Sequence, residues 1–455
     1  MEPDFKMKGG NIVMKNKKGS GSHDKDKKRE GMSRRDFIKK AGVTTAVVGL
    51  SSGTRKLLKP AWGASRDHIL IGRPHPATGP VAAFAESSAW IDNRVIDEIN
   101  KQGGIYIKEY GKKVPIQVKI TDTESNPTKA ADVASKLILN DKVDLIYVSH
   151  TPATVNPVAA NCERFKIPCV GTMMPAEMFL AGGPYHWSFV ASGSVRDMVT
   201  AYLDSWTHVS TNKVVGLLAA NDPDGIAWAQ GAQNALKPAG YQVVDLGRFP
   251  EGIMDFGTFI SGWKREKVEI LFANLSPPDF TRAWRQCFRE GFIPKICAIG
   301  RAVLFPSAVE ALGGDIGLGT STEGIWHPTF PFKSSLGGVT PRQLCDAYEA
   351  AFGKQWTAPI GHIHMGYEII IDVLRRAQTL DKETLRDTIA ATDLETVAGH
   401  VKFSKENVSV VPGGLYQWVK GKKFPFECKL VSNGNYKFLP TQGKLVSIPE
   451  LRGMK

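Results

Sequence analysis

The chain has 455 residues, with 58 Lys and Arg against 45 Asp and Glu and a formal net charge of +13. Residues 1–64 contain 16 of the basic and 6 of the acidic residues, which leaves 42 against 39, a net charge of +3, for the rest of the chain. The basic excess therefore belongs mainly to the N-terminal segment, and it does not support nucleic acid as a partner.

The N-terminal segment has two adjacent arginines, Arg34 and Arg35, shortly before the apolar run Ala41–Leu50. About ten apolar residues are too few to span a bilayer, and the layout is typical of a twin-arginine export signal rather than of a basic surface helix. Small residues suited to cleavage follow at Ala61–Ala64. We therefore predict that residues 1–64 are an N-terminal extension and signal peptide, and that the mature protein lies in the periplasm.

The rest of the chain alternates short apolar strands with amphipathic helices. The first half predicts strands at 69–72, 114–120, 145–148 and from 168, and helices at 84–102, 126–140 and 154–165. The rhythm restarts with strands at 214–218, 241–244, 270–273 and 296–299 and helices at 195–209, 225–239, 256–266 and 278–290. Helices at 341–352, 362–377 and 382–392 and strands near 401, 416–419 and 426–431 complete the pattern. This alternation predicts an α/β fold with parallel sheets covered on both faces.

The length that remains after the leader, about 390 residues, exceeds what one hydrophobic core comfortably organises and favours two lobes. Six cysteines occur in this part, none in a CxxC or zinc-type spacing. They are free to pair in an oxidising periplasm. Cys162 and Cys169 are the best candidates for a disulfide.

Short motifs in a fixed order carry a family resemblance. They are Thr78-Gly79-Pro80, Asp97-Glu98-Ile99-Asn100, Gly103-Gly104-Ile105, Ser125-Asn126-Pro127 and Asn221-Asp222-Pro223-Asp224-Gly225. With this order and spacing, residues 67–435 resemble the type I periplasmic solute-binding proteins of branched-chain amino-acid and amide ABC transporters.

The resemblance implies two Rossmann-like lobes joined by three hinge segments, near residues 187–193, 324–329 and 397–402. Lobe 1 would comprise residues 66–191 and 325–398, and lobe 2 residues 192–324 and 399–445. It also implies a monomeric substrate-binding component of an ABC uptake transporter, without catalysis or cofactor, that closes on an amino acid, amide or organic carboxylate and delivers it to a permease. A ligand-sensing partner of a membrane receptor would have the same kind of chain, and a periplasmic enzyme or cofactor protein is the remaining alternative.

The resemblance also implies where lobe 1 would hold a ligand. In the family, the loop after the third strand and the next helix start bind a ligand carboxylate, which here selects Ser149, Thr151 and Pro152. The following loop contributes Thr172 and Met174. A helix N-terminus favours an anion, but Thr151 could equally serve only as the helix cap.

Further candidates lie in other predicted loops and in a crossing segment. Phe84 falls where many relatives place an aromatic ring over the ligand, although it could also be a core residue of its helix. From lobe 2, Asp224 either contacts ligand or only caps a helix, and Ser276 occupies the next loop. Trp326 lies in a predicted crossing segment and could line the cleft.

One departure from the family concerns charge. Amino-acid binders often have an acidic residue after the fourth strand of lobe 2, where this chain has Arg301. Arg73 and His75 also precede the Thr78-Gly79-Pro80 turn. Guanidinium groups select carboxylates, so we expect an anionic ligand, unless the two arginines pair with neighbouring acids.

The sequence offers little for catalysis. It contains no G-x-S-x-G, H-E-x-x-H or G-x-x-x-x-G-K-[ST] motif. His362 and His364 could bind a metal, but they form a lone pair without suitably spaced carboxylates, so a structural role is expected. We predict no metal site.

Overall fold

The structure is a computed structural model that describes residues 67–454. The predicted signal peptide at residues 1–64 lies outside the described residues. After a short 3₁₀ turn at Ala82–Ala85, the helices are α1 (Ser88–Lys101), α2 (Pro127–Leu139), α3 (Pro152–Phe165), α4 (Ala176–Gly182), α5 (Val195–Trp206), α6 (Pro223–Leu236), α7 (Gly257–Arg265), α8 (Pro277–Arg289), α9 (Pro306–Glu310), α10 (Pro341–Phe352), α11 (Pro359–Ala377), α12 (Lys382–Ala390) and α13 (Ile448–Leu451).

The strands form two main sheets. In chain order they are β1 (Ile69–His75), β2 (Ile105–Ile107), β3 (Lys112–Val114), β4 (Ile116–Asp122), β5 (Leu145–Ser149), β6 (Cys169–Thr172), β7 (Ser188–Ser192), β8 (Val214–Ala220), β9 (Gln242–Phe249), β10 (Ile270–Asn274), β11 (Ile296–Gly300), β12 (Thr320–Gly324), β13 (Asp393–Thr396), β14 (Gly399–Lys402), β15 (Val408–Val410), β16 (Gly414–Lys420) and β17 (Phe426–Ser432). The first sheet is parallel, in the order β15-β7-β6-β5-β1-β4. The second has the order β17-β16-β12-β11-β10-β8-β9, with β16 antiparallel to both of its neighbours.

The central strands of both sheets are buried along their whole length. This holds for β5 and β6 in the first sheet and for β10 and β11 in the second. Such strands read as continuous apolar runs because helices cover both faces of a parallel sheet. The predicted α/β class, with two lobes built on parallel sheets, is confirmed.

Helix starts fix the loops that follow the strands. Four of the described helices begin at a proline behind a polar cap, in which the cap side chain accepts a backbone N–H from inside the helix: Asn126 for α2, Asp222 for α6, Ser276 for α8 and Thr340 for α10. Proline tolerates the first helical position because the N–H it lacks would have no partner there. The strand-to-helix loops are therefore short and well defined at the carboxyl ends of the strands.

Three segments join the two sheets. The chain leaves the first sheet after β7, at Gly193, and leaves the second sheet after β12, near Ile325, in line with the first two predicted crossings. The third crossing differs from its prediction. Residues 399–410, expected in lobe 2, include β15, which pairs with β7 in the first sheet, so the return falls at residues 411–413, just before β16.

All six cysteines are buried free thiols. Cys162 on α3 and Cys169 on β6 lie in the same hydrophobic cluster, but the disulfide predicted between them is not formed in this structure. Burial raises the pKa of the Cys162 thiol above its usual value. Of the helices between residues 67 and 454, none has both the length and the apolar character needed to cross a membrane.

Candidate ligand-binding site

A small cavity of about 50 Å³ lies where the carboxyl-end loops of the two sheets face each other. Loops after β5 and β6 contribute from the first lobe, and residues at the ends of β10, β11 and β12 contribute from the second. Ligands of open α/β sheets bind at this edge, because the loops there converge. Six of the residues selected from the sequence line the cavity: Phe84, Thr151, Pro152, Met174, Asp224 and Arg301.

The first lobe brings an unusual backbone to the cavity. His150 and Thr151 have φ angles of 77° and 65°, and Met173 in the next loop has a φ of 60°. Thr151 combines its φ of 65° with a ψ of 150°, a region that is almost restricted to glycine. Its N–H donates to the carbonyl of Met173 at 3.1 Å, which ties the two loops together. Strain of this kind clusters at functional sites, where the surroundings hold it in place.

Four residues predicted for the first lobe lie behind the cavity lining instead. The guanidinium of Arg73 is completely buried over the Tyr147 ring, 4.2 Å from its centroid, and its Nη1 donates to Ser149 Oγ at 2.8 Å. Its Nε lies 3.4 Å from Asp92 Oδ1. Arg73 and Ser149 therefore support β5 from beneath, where a solute in the cavity does not reach them.

The other two of these residues, His75 and Thr172, are also packed inside the lobe. Burial and the nearby Arg73 charge lower the pKa of His75 to about 3, so its ring is neutral at pH 7. Thr172 Oγ1 lies 3.2 Å from the hydroxyl of Tyr147. His75 and Thr172 therefore pack inside the lobe and support the loops that line the cavity.

Two residues predicted outside the first-lobe loops also have structural partners. Ser276 caps α8, and its hydroxyl donates to Asp279 Oδ2 at 3.0 Å. The Trp326 indole is fully buried and donates to the carbonyl of Val397 at 2.9 Å. Among the described residues, neither is part of the cavity lining.

The second lobe contributes a buried charge cluster around Arg301. Its Nη1 lies 2.7 Å from Asp222 Oδ2, and its Nε lies 3.2 Å from Asp224 Oδ2. The backbone N–H of Arg301 donates to Glu323 Oε1 at 2.9 Å. Burial raises the pKa of the Asp224 and Glu323 carboxyl groups, and the Arg301 charge opposes this for Asp224. The guanidinium is therefore already paired with carboxylates of its own lobe.

Several lining residues were missed by the sequence analysis, chiefly Glu323, Trp228, Asn274 and His362. Glu323 ends a strand of small polar residues, Thr320–Gly324, that shows no apolar alternation. Trp228 and His362 lie on helices, where no local pattern separates a ligand contact from a core residue. His362 was interpreted only as structural, yet its ring reaches the cavity.

Five lining residues present buried polar atoms that have no hydrogen-bond partner within residues 67–454. These atoms are Thr151 Oγ1, Trp228 Nε1, Asn274 Oδ1, Arg301 Nη2 and His362 Nδ1. A buried polar atom without a partner costs about 1–3 kcal/mol. All five residues line one cavity, which is typical of a site that a ligand completes.

Comparisons with known proteins identify the family of the chain. Residues 68–422 match the family model described as periplasmic binding protein. The chain belongs to this family. A leucine-, isoleucine-, valine-, threonine- and alanine-binding protein of Pseudomonas aeruginosa is 21% identical over 363 residues, which cover 79% of this chain and 92% of that protein.

Solved structures show the same fold. A leucine-binding protein of Thermotoga maritima superposes on this periplasmic binding protein with a TM-score of 0.69 at 17% identity, over 81% of this chain and 99% of the other. An ABC-transporter solute-binding protein of Rhodopseudomonas palustris, solved with 3,4-dihydroxybenzoic acid, gives 0.65 at 18% identity, over 85% and 99%. At these identities the likeness establishes the two-lobed fold, and the family consists of extracytoplasmic solute-binding proteins.

Proposed function

We propose that this periplasmic binding protein is the solute-binding component of an ABC uptake transporter. It captures one small organic solute between its lobes, closes by hinge motion at the three crossings and presents the solute to a membrane permease. The observation that carries the proposal is the cavity, which both lobes line and where five buried polar atoms lack partners among the described residues.

The relatives support the size and kind of the cargo. One is described as binding five amino acids, and another was solved with an aromatic acid. All of these are small organic molecules, which suits a cleft of this type. Delivery after export by the twin-arginine route completes the proposal, on the basis of the arginine pair at positions 34 and 35.

The test is native mass spectrometry of the protein purified under non-denaturing conditions, followed by identification of small molecules released on denaturation. We expect one solute per chain. A thermal-shift screen with amino acids, amides and organic acids complements it. A chain that carries no small molecule and that none of these compounds stabilises would contradict the proposal.

A matched pair of variants assigns the binding to the cavity. Thr151→Val removes the unpartnered hydroxyl without breaking a hydrogen bond between described residues, so we expect weaker binding by a factor of about 5 or more with little change in stability. Thr123→Val is the control, because Thr123 is equally buried and its hydroxyl also lacks a partner between residues 67 and 454, but it lies outside the cavity lining.

A further inference from the structure

The charges beside the cavity satisfy one another. Arg301 pairs with Asp222 and Asp224, and Glu323 accepts from the Arg301 N–H, from Thr322 Oγ1 at 2.9 Å and from the Tyr202 hydroxyl at 3.3 Å. The guanidinium thus pairs with two carboxyl groups, and a third carboxyl group accepts from the backbone N–H of the same residue. A solute anion near Arg301 would meet this acidic surplus in a poorly hydrated site, where like charges repel strongly.

The donors left without partners also disfavour a cation. Trp228 Nε1–H and an N–H on Arg301 Nη2 have no acceptor within the described part of the chain, and both residues line the cavity. An ammonium group beside them would bring N–H donors towards N–H donors and would leave both unsatisfied. These two groups require an acceptor on the solute, such as a carbonyl oxygen.

The cavity presents acceptors as well. The Nε2–H of His362 donates to the carbonyl of Ile325 at 3.0 Å, and burial lowers the pKa of the ring to about 4, so Nδ1 is a bare acceptor at pH 7. Asn274 uses its amide N–H₂ towards Asp224, which leaves its Oδ1 without a donor in residues 67–454. These two atoms require a donor on the solute, and the Thr151 hydroxyl can serve in either role.

The helix that begins beside the cavity gives little to an anion. α3 has Pro152 at its first position, which has no N–H to offer. The N–H groups of Thr154 and Val155 both donate to the carbonyl of Thr151, at 3.1 and 3.0 Å. A carboxylate would therefore find fewer free N–H groups here than at an ordinary helix N-terminus.

The remaining wall is apolar. Phe84, Met173, Met174, Met198 and Leu304 line it, and methionine adapts to the shape of a bound group. One water needs about 10–15 Å³ of such space, so a cavity of about 50 Å³ takes only a small solute in this closed form.

We infer that the solute is small and uncharged, and that its polar end combines a hydrogen-bond acceptor with a donor, as a primary carboxamide does, on a short apolar body. Neither a carboxylate nor an α-amino acid meets this set of partners equally well. The inference rests on the proposed function, since it names the chemistry of the solute held in the same cavity.

The test uses two matched sets of probes, each with one carbon skeleton and with polar groups of different charge. One set is propanamide, propanoate and alanine, and the other is 3-methylbutanamide, 3-methylbutanoate and valine, each measured by calorimetry at pH 7. We expect the amide of at least one set to bind tenfold or more tightly than its charged counterparts. Binding of a carboxylate or amino acid as tightly as its amide would overturn the inference.

The solute released from the purified protein decides the case in which no probe binds. An uncharged solute with donor and acceptor groups supports the inference. A charged solute overturns it and leaves the proposed function intact, whereas a protein without any solute or binder overturns both.

Two tryptophan variants separate contact from packing. Trp228 and Trp206 are 3% and 2% exposed, both pack on Phe272, and both have an indole N–H without a partner in the described residues. Only Trp228 of the two lines the cavity, as the described residues show. We expect Trp228→Phe to weaken binding of the preferred amide, or of the released solute, at least fivefold and Trp206→Phe to leave it unchanged. Equal effects of the two variants would contradict a direct contact.

Discussion

Phe84 of the first lobe packs edge-on against Phe305 of the second, with ring centroids 4.8 Å apart and an interplanar angle of 74°. A second contact between the lobes involves the residues two positions further along each chain segment: Ser307 Oγ donates to Glu86 Oε2 at 3.1 Å. Phe84 also lines the cavity. We interpret these contacts as the closure of the cleft over its solute, since they join side chains of two lobes that the hinge motion would separate.

If the aromatic pair forms only when the cleft closes, it stabilises the closed form and raises the affinity by slowing the release of the solute. Edge-to-face pairs contribute about 0.5–1.5 kcal/mol beyond their buried area. We expect Phe84→Leu and Phe305→Leu each to weaken binding by a factor of about 2–10, mainly through a faster dissociation rate, and the double variant to be less than additive. Stopped-flow dissociation with the solute released from the purified protein measures this. Strict additivity would show that the rings do not act as a pair, and Phe352→Leu, half-exposed on lobe 1, is the control.

The strained backbone of Thr151 predicts that one substitution raises stability and weakens solute binding. Glycine adopts its φ of 65° and ψ of 150° without the steric cost of a branched side chain. We expect Thr151→Gly to raise the free energy of unfolding by about 1 kcal/mol, after the entropic cost of glycine, while it weakens solute binding. Urea denaturation checks the sign. The same substitution at Thr154, inside α3, should lower stability by about 1 kcal/mol, so a loss at both positions would contradict stored strain at Thr151.

The Arg301 cluster predicts a large effect on folding. Arg301→Met leaves Asp222 and Asp224 without their common cation, while the backbone N–H that donates to Glu323 is retained, and breaking a buried ion pair from one side costs about 3–5 kcal/mol. Asp224→Asn in the same background should recover part of this loss. Urea unfolding of both variants checks the expectation, with Arg196→Met as the control because the Arg196 side chain is 87% exposed. A loss below 1 kcal/mol for Arg301→Met would contradict the account of the cluster.

Glu368 on α11 predicts a pH dependence of stability. Burial raises its pKa to about 7, although Val397 N–H and Ser335 donate to it. The folded state holds the proton of the Glu368 carboxyl group more tightly than the unfolded state, in which the pKa is 4.5. The protonated carboxyl group therefore contributes its full stabilisation below about pH 4.5, and this contribution is lost as the pH rises towards 7.

Glu368→Gln, which stays uncharged, isolates this contribution. The unfolding free energy of the variant minus that of the wild type should increase by on the order of 3 kcal/mol between pH 4.5 and 7.5. Urea titrations across this range measure the difference. The exposed Glu406→Gln should show no such trend, and a flat difference for Glu368→Gln would contradict a raised pKa of Glu368 in the folded protein.

The periodicity of apolar residues predicts most of the helices and strands. It does not predict which strands pair with each other when a strand is short. Helix α10 follows from apolar spacing because it buries one face, whereas helix α11 and strands β8 and β10 follow from nearly continuous apolar runs because they are buried on almost every side. Strand β15 has only three residues, and its pattern suits an edge position in either sheet. Its pairing with β7 depends on tertiary contacts that no local signal contains.

The site was predicted as loops rather than as individual contacts. Carboxyl ends of parallel strands meet at one edge, so the sequence predicts that Thr151, Met174 and Asp224 lie close together, and all three line the same cavity. Arg73 was misplaced because β1 extends to His75, which puts Arg73 inside the sheet over Tyr147. The pairing of Arg301 with Asp222 and Asp224 was left open, because side chains far from Arg301 in sequence decide it.

The central claim is that one small solute lies between the two lobes, in contact with Thr151 and Trp228. A crystal structure of the protein with its released solute, or with its tightest probe, tests this most directly. We expect density for one molecule in the cavity, with Phe84 and Phe305 in contact beside it. Density only elsewhere, for example in the larger groove of about 640 Å³ that both lobes also line beside Asn156 and Ala227, without contact to Thr151 and Trp228, would contradict this placement.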